Sequence, residues 1–366
     1  MDNQEIDFGQ GNMKIENELG SGAFGKVYSG YLKSNGLKIA VKRLNKKKMR
    51  EYGEYLFNAL KKELECMAKC NCENSVRLYK HIETANNFNI IMELCDGDLS
   101  KELKKRPEGF NVEEVRYIMS QLNNVFKKMQ ENKIIHRDLK LGNILIKYTD
   151  ETKTKFIPKL CDYGFSKELK DQETHTMLGT PATMAPEVIN GLYYDARADL
   201  WSIGVLIYEL HFKSLPFPGK SAKEIDAIIR KELPNAHVLA AFDTLEYLKK
   251  GGRLSSAKAI VGKILSIKPL LTIEDGVVNV WGKARGTKNI VGGLMDKAAS
   301  YEIDFDKPIM FGFTGAYNDS INLLMDRFRK EYKITTPVTA VPVGATIGTY
   351  AGPGAVAVAF FSKEKE

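Results

Sequence analysis

Apolar and polar positions along the chain predict a string of elements in its first two thirds. Val27, Tyr28 and Tyr31 alternate with polar neighbours, as do the positions around Ile39 and Val41, so each stretch reads as a strand. Leu56, Leu60, Leu64 and Met67 recur at helical spacing and predict a helix over 54–70. Phe88 to Cys95 reads as a strand entering a turn at Asp96-Gly97-Asp98. Asn111, followed by Glu114 at the third helical position, opens a long helix with Val115, Ile118, Leu122, Val125, Phe126 and Met129 on one face. The runs Ile134-Ile135 and Ile144-Leu145-Ile146 read as short buried strands around a polar turn. A strongly apolar helix follows at Asp199-Leu200-Trp201-Ser202-Ile203-Gly204. After Pro234 the composition changes: alanine rises from 11 in residues 1–235 to 15 in the remaining 131, while asparagine falls from 18 to 4. That shift predicts a second domain.

The polar turn holds the chemistry. Asp138 can accept a proton, Lys140 can neutralise a phosphate, and Asn143 can offer an oxygen to a divalent cation, the inventory phosphoryl transfer requires. The spacing His136-Arg137-Asp138-Leu139 with Asn143 resembles the catalytic loop of protein kinases.

Other stretches fit the same resemblance in the same order. Gly20-Ser21-Gly22-Ala23-Phe24-Gly25 with Val27 is a weak signal alone, because dinucleotide sites look similar; here strand sequence follows it, which favours a hairpin lid over phosphates. Lys42, after Ala40-Val41, is by itself an ordinary solvated lysine. The resemblance makes it the lysine that pairs with the α- and β-phosphates, with Glu63 as its helix partner and Glu65 a weaker candidate. It also makes Met92 the gatekeeper, turns backbone from Glu93 to Cys95 toward adenine, and puts Leu145 in the nucleotide site. Asp162-Tyr163-Gly164 resembles the metal-binding D-F-G, with a tyrosine whose hydroxyl needs a polar partner or water. Gly179 to Glu187 resembles the end of an activation segment, and Thr180 with Lys140 is the serine/threonine-kinase combination. Arg137 calls for a phosphate or an acid, which Thr176 or Thr174 could supply.

The resemblance therefore implies an α+β bilobal kinase-like domain, with an N-lobe over 13–97 and a C-lobe over 98–234 that lacks its last helices. Glu187 then has no family arginine, so burial would leave it uncompensated unless Arg230 or Arg253 substitutes.

Residues 236–366 read as an α/β anion-binding domain, with Arg253 and Arg285 beside glycines and a glycine-rich loop before a closing Val/Ala/Phe strand. Plain surface arginines are the competing reading. The stretch resembles the C-terminal half of the DegV family of bacterial fatty-acid-binding proteins. That resemblance sets Arg253, Arg285 and Tyr350 near a lipid carboxylate, although the half of the family that holds the carboxylate directly is absent.

Charge adds little. The net +8 divides evenly, 37 basic against 33 acidic residues in 1–235 and 17 against 13 beyond, which gives no support to a nucleic-acid role. Lys46-Lys47-Lys48 reads as a solvated loop. Five cysteines, all in the first half, suit a reducing, cytoplasmic setting, and no secretory leader is visible. The uncharged stretch 334–362 is broken by prolines and glycines, so no transmembrane segment is expected. The leading expectation is a serine/threonine kinase using Mg²⁺ and ATP on a protein substrate. A lipid-binding protein with a vestigial kinase half, or a non-natural chimera of the two, are the alternatives.

Overall fold

The computed structural model describes residues 12–22, 25–53, 55–164, 166–168, 174, 177–250, 267–274, 277–335, 338, 340–343 and 351–364. They divide into two compact units, Met1–Ile229 and Arg230–Glu366.

The first unit begins with strands β1 (Met13–Ser21), β2 (Gly25–Leu32) and β3 (Lys38–Asn45), followed by helices α1 (Lys46–Tyr52) and α2 (Tyr55–Lys69). Strands β4 (Leu78–Glu83) and β5 (Asn87–Glu93) complete an antiparallel sheet ordered β1-β2-β3-β5-β4. The two-residue period of β3 puts Ile39 and Val41 in one apolar cluster with Leu32 and Ile91. Its other face carries Ala40, Lys42 and Leu44, and Leu44 packs with Leu60 of α2 and Ile90. A β-carbon on Gly25 would fall 1.9 Å from the Arg43 carbonyl oxygen, so only glycine lets β2 approach β3 this closely there.

The lysine run is not a loop. Asn45 accepts a hydrogen bond from the Lys48 backbone and caps α1. Lys46 is buried, its ammonium 2.6 Å from Glu83 Oε1 and over the Phe88 ring. Glu83 and the Phe88 ring stand in for part of the water the lysine loses.

Next come β6 (Gly97–Asp98), α3 (Leu99–Lys104) capped by Asp98, and α4 (Val112–Glu131), on which Asn111 and Glu114 form a reciprocal capping box. Strands β7 (Ile134–Ile135), β8 (Ile144–Tyr148), β9 (Phe156–Leu160) and β10 (Lys167–Glu168) follow, then helices α5 (Pro186–Ile189), α6 (Arg197–Phe212) and α7 (Ala222–Glu232). Val115, Ile118, Leu122, Val125 and Met129 of α4 are buried against Ile144, Ile146, Leu160, Leu206 and Leu210. Each such side chain contributes about 1.5–3 kcal/mol on burial. Helix α6 is apolar all round yet leaves Leu200 64 % and Ile207 40 % exposed. Glu187 in α5 is half-buried rather than buried.

In the second unit, β11 (Ala236–Ala241), α8 (Glu246–Lys250), β12 (Ile267–Glu274), β13 (Val277–Arg285), α9 (Thr287–Ala299), β14 (Met310–Phe313), α10 (Asp319–Glu331), β15 (Ala340–Pro342) and β16 (Val356–Phe361) build a six-stranded sheet ordered β13-β12-β11-β16-β14-β15. Its pairs are antiparallel except β14 with β15. The closing strand β16 lies between β11 and β14, and Val356, Val358 and Phe360 join a core with Val291 and Leu294 of α9 and Ile321 and Phe328 of α10. Among the described residues no helix is long and apolar enough to cross a membrane.

Candidate active site

The polar turn leaves β7 at Ile135 and is held from beneath by Asp199 of α6. Its carboxylate accepts the His136 N–H at 2.7 Å and the Arg137 N–H at 3.0 Å. Arg137 stands at φ 69°, a backbone conformation that those two bonds help to maintain, and its side chain is half-buried rather than buried. His136 is fully enclosed, with Nε2 3.1 Å from the Cys161 carbonyl oxygen. Burial lowers its pKa despite the nearby carboxylates, so it is neutral at pH 7. Burial likewise raises the Asp199 pKa, against the pull of His136 and the two backbone donors.

Asp138 is 2 % exposed, and both of its oxygens are engaged. Oδ2 meets Lys140 Nζ at 2.7 Å and Asn143 Nδ2 at 2.9 Å, while Oδ1 accepts from Thr180 Oγ1 at 2.6 Å. Lys140 also reaches Thr180 Oγ1 at 2.9 Å, closing a three-residue ring of bonds. Asn143 Nδ2 bonds the Asp138 carbonyl as well, at 2.8 Å. Its amide nitrogen is thus committed to Asp138, which leaves Oδ1 as the atom able to face a cation.

Beside the turn lies a cleft of about 380 Å³. Its lining includes Gly20, Val27, Ala40, Lys42, Glu63, Met92, Glu93, Cys95, Asn143, Leu145 and Asp162. Ser21, Gly22 and Gly25 belong to the β1–β2 hairpin but do not line it, and Ala23 and Phe24 lie outside the described residues. Lys42 Nζ is 2.7 Å from Glu63 Oε1 and 3.9 Å from Asp162 Oδ1. Desolvation pulls the Lys42 pKa down, but these carboxylates together raise it above 10.5. Asp162 adopts φ 61°, which turns the chain sharply between Cys161 and Tyr163. The Tyr163 hydroxyl lies 3.3 Å from Ser75 Oγ, the polar partner its burial demands.

Of the activation-segment threonines, Thr180 reaches the turn and Thr174 does not. Thr174 is 3 % exposed and exchanges two backbone hydrogen bonds with Tyr194, at 2.9 and 2.8 Å. Thr176 lies outside the described residues. Gly179 passes so near the turn that a β-carbon would fall 2.1 Å from the Arg137 carbonyl oxygen, and its φ is 117°. In the second unit Arg285 is exposed at the end of β13, while Arg253 and Tyr350 lie outside the described residues.

Sequence reasoning missed several cleft residues, among them Leu19, Met67, Cys161 and Lys101. It also missed Lys159, a lysine 7 % exposed whose ammonium meets Glu93 Oε2 at 3.1 Å and the Glu73 carbonyl. The flanking apolar run of β9 hides it, because a strand lysine ordinarily points to water.

A family model described as protein kinase domain matches residues 13–271. The chain belongs to the protein kinase domain family. It is similar to serine/threonine-protein kinase ATG1 of Chaetomium globosum, 29 % identical over 318 residues that are 72 % of this chain and 32 % of that protein. It is also similar to serine/threonine-protein kinase 33 of Mus musculus, 33 % identical over 58 % of this chain and 44 % of the relative, and to serine/threonine-protein kinase unc-51 of Caenorhabditis elegans, 34 % identical over 58 % and 26 %. The chain spans less than half the length of each of these relatives. A second model, described as an uncharacterised protein of the DegV family, matches residues 198–363 and overlaps the first.

Proposed function

We propose that the chain is a serine/threonine protein kinase that transfers the γ-phosphoryl group of Mg·ATP to a protein hydroxyl. One observation carries the reading: Asp138, Lys140 and Thr180 form a bonded ring, with Asn143 bonded to Asp138, at one edge of a cleft whose lining brings Lys42, Glu63 and Asp162 together.

The apolar walls at Val27, Ala40, Met92 and Leu145 take a flat aromatic base, and the backbone at Glu93 and Cys95 supplies its polar contacts. Residues Gly20 to Gly25 cover the phosphates. Lys42, held straight by Glu63, neutralises charge on them. Asp162 and Asn143 Oδ1 are the donors that would hold Mg²⁺, which shields phosphate charge when bound; a two-donor oxygen set suits an ion that takes its remaining ligands from phosphates and water. Asp138 orients the substrate hydroxyl and accepts its proton, and Lys140 steadies the transferring group. Thr180 ties the segment that receives the substrate to the proton acceptor. Thr176 is the first choice for a phosphorylated residue that meets Arg137. Residues 13–97 and 98–234 serve as the two lobes.

Incubating the full chain with Mg·ATP and mapping phosphosites tests the reading. Autophosphorylation that vanishes in Asp138→Asn is the expected result, and turnover retained by that variant would sink it.

The DegV match supports a second, smaller role, with Arg253, Arg285 and Tyr350 near the carboxylate of a bound fatty acid. Fatty acid copurifying with the chain is its signature.

A further inference from the structure

Tyr163 is 1 % exposed within an apolar cluster that includes Cys70, Leu139 and Leu160, and its ring stands 5.2 Å from the His136 ring. A phenol hydroxyl in such surroundings is costly unless bonded. Ser75 is itself fully buried, and its Oγ lies 3.3 Å away, so each hydroxyl serves the other. The Cys70 thiol adjoins the phenol as well.

Ser75 cannot drift. Its N–H donates to the Cys72 carbonyl at 3.2 Å, and it forms a parallel bridge to Leu160. On either side, Val76 N–H donates to the Leu160 carbonyl at 2.9 Å and Leu160 N–H to the Asn74 carbonyl at 2.8 Å. Leu160 is two residues ahead of Asp162. The loop carrying Ser75 is therefore fixed to the strand that delivers the acid, while Tyr163 follows the acid directly. Asp162 stands at φ 61° directly ahead of Tyr163, so the position of the ring and the turn that aims the carboxylate are linked through one peptide.

We propose that the contact between the Tyr163 hydroxyl and Ser75 Oγ is a latch that keeps Asp162 turned into the cleft, which makes Ser75 a positioning residue for the metal-binding acid. The proposal rests on the kinase reading and deepens it. Deleting the Ser75 hydroxyl leaves the phenol only the weakly bonding Cys70 thiol, whereas the withdrawn state lets water bond it. Deleting both hydroxyls removes the conflict, because two apolar groups of the same shape pack almost neutrally.

The test measures affinity of the full chain for a non-hydrolysable ATP analogue, with Mg²⁺ and with EDTA. Ser75→Ala is expected to weaken binding in Mg²⁺ roughly tenfold, leave binding in EDTA unchanged, and regain most of the loss when Tyr163→Phe is added. Wild-type affinity in Ser75→Ala, or a loss that Tyr163→Phe does not repair, overturns the latch. Should Ser75→Ala fail to fold, the double variant carries the test, since the latch requires it to fold and to bind as wild type does. A wild-type chain whose affinity ignores Mg²⁺ would overturn the kinase reading itself, and the latch with it.

Discussion

The side-chain amide of Asn143 donates to Asp138 twice, to the backbone carbonyl at 2.8 Å and to the carboxylate at 2.9 Å. One side chain thus fixes both the backbone and the carboxylate of the proton acceptor and spends its nitrogen doing so. Replacing either residue loosens the other.

Asp138→Asn should therefore lower phosphoryl transfer by about 10²–10⁴-fold, the range expected on losing a positioned base. Asn143→Ala should do the same and also weaken the Mg²⁺ dependence of turnover. Affinity for the nucleotide without metal should barely change in either. Initial rates at varied Mg²⁺, beside nucleotide titrations, separate the two effects.

Lys42→Met should reduce kcat by roughly 10²–10³-fold, since it removes a preorganised charge from the phosphate site. A pH effect accompanies it. The folded-state pKa of Lys42 lies above 10.5, so the stability its ion pair contributes is present below that pH and is lost as pH rises through the folded value. Wild-type melting temperature should fall through that alkaline window more steeply than that of Lys42→Met.

His136 acts at the other end of the scale. Its folded pKa lies below 6.5, so the unfolded chain takes up a proton there that the folded chain refuses. Stability should decline as pH falls below 6.5, with a slope approaching about 1.4 kcal/mol per pH unit from this residue. Denaturant unfolding at pH 7.5 and pH 5.5 measures the loss, and His136→Gln should remove this part of it.

Gly179→Ala should destabilise the first unit by about 1–3 kcal/mol, because the new methyl meets the Arg137 carbonyl and the backbone lies in a region that favours glycine. Thr180 would be displaced with it. A variant that melts normally but turns over slowly would show that the segment, rather than the core, absorbs the strain.

Much of this site could be read along the chain because its parts are local. Glu63 flanks a helical stripe of leucines, Asp138 and Asn143 share one turn, and Asp162 follows an apolar strand. What could not be read is what long loops bring together. The resemblance pairs Thr180 with the turn, yet its bond to Asp138 across 42 residues is not legible; the Tyr163 hydroxyl calls for a partner, but nothing along the chain names Ser75, 88 residues away. Lys46 misled for the opposite reason. Three lysines in a row look solvated, but Asn45 starts a helix at the first of them, and Glu83 with Phe88 receives it.

Leu200 and Ile207 leave one flank of α6 open to water on the same helix whose Asp199 steadies the catalytic turn. The helix thus carries two loads at once: Asp199 holds the His136 and Arg137 amides in the turn, while its neighbour Leu200, with Ile207, keeps apolar surface in water. A polar residue at either of those two positions should therefore leave the turn's support intact.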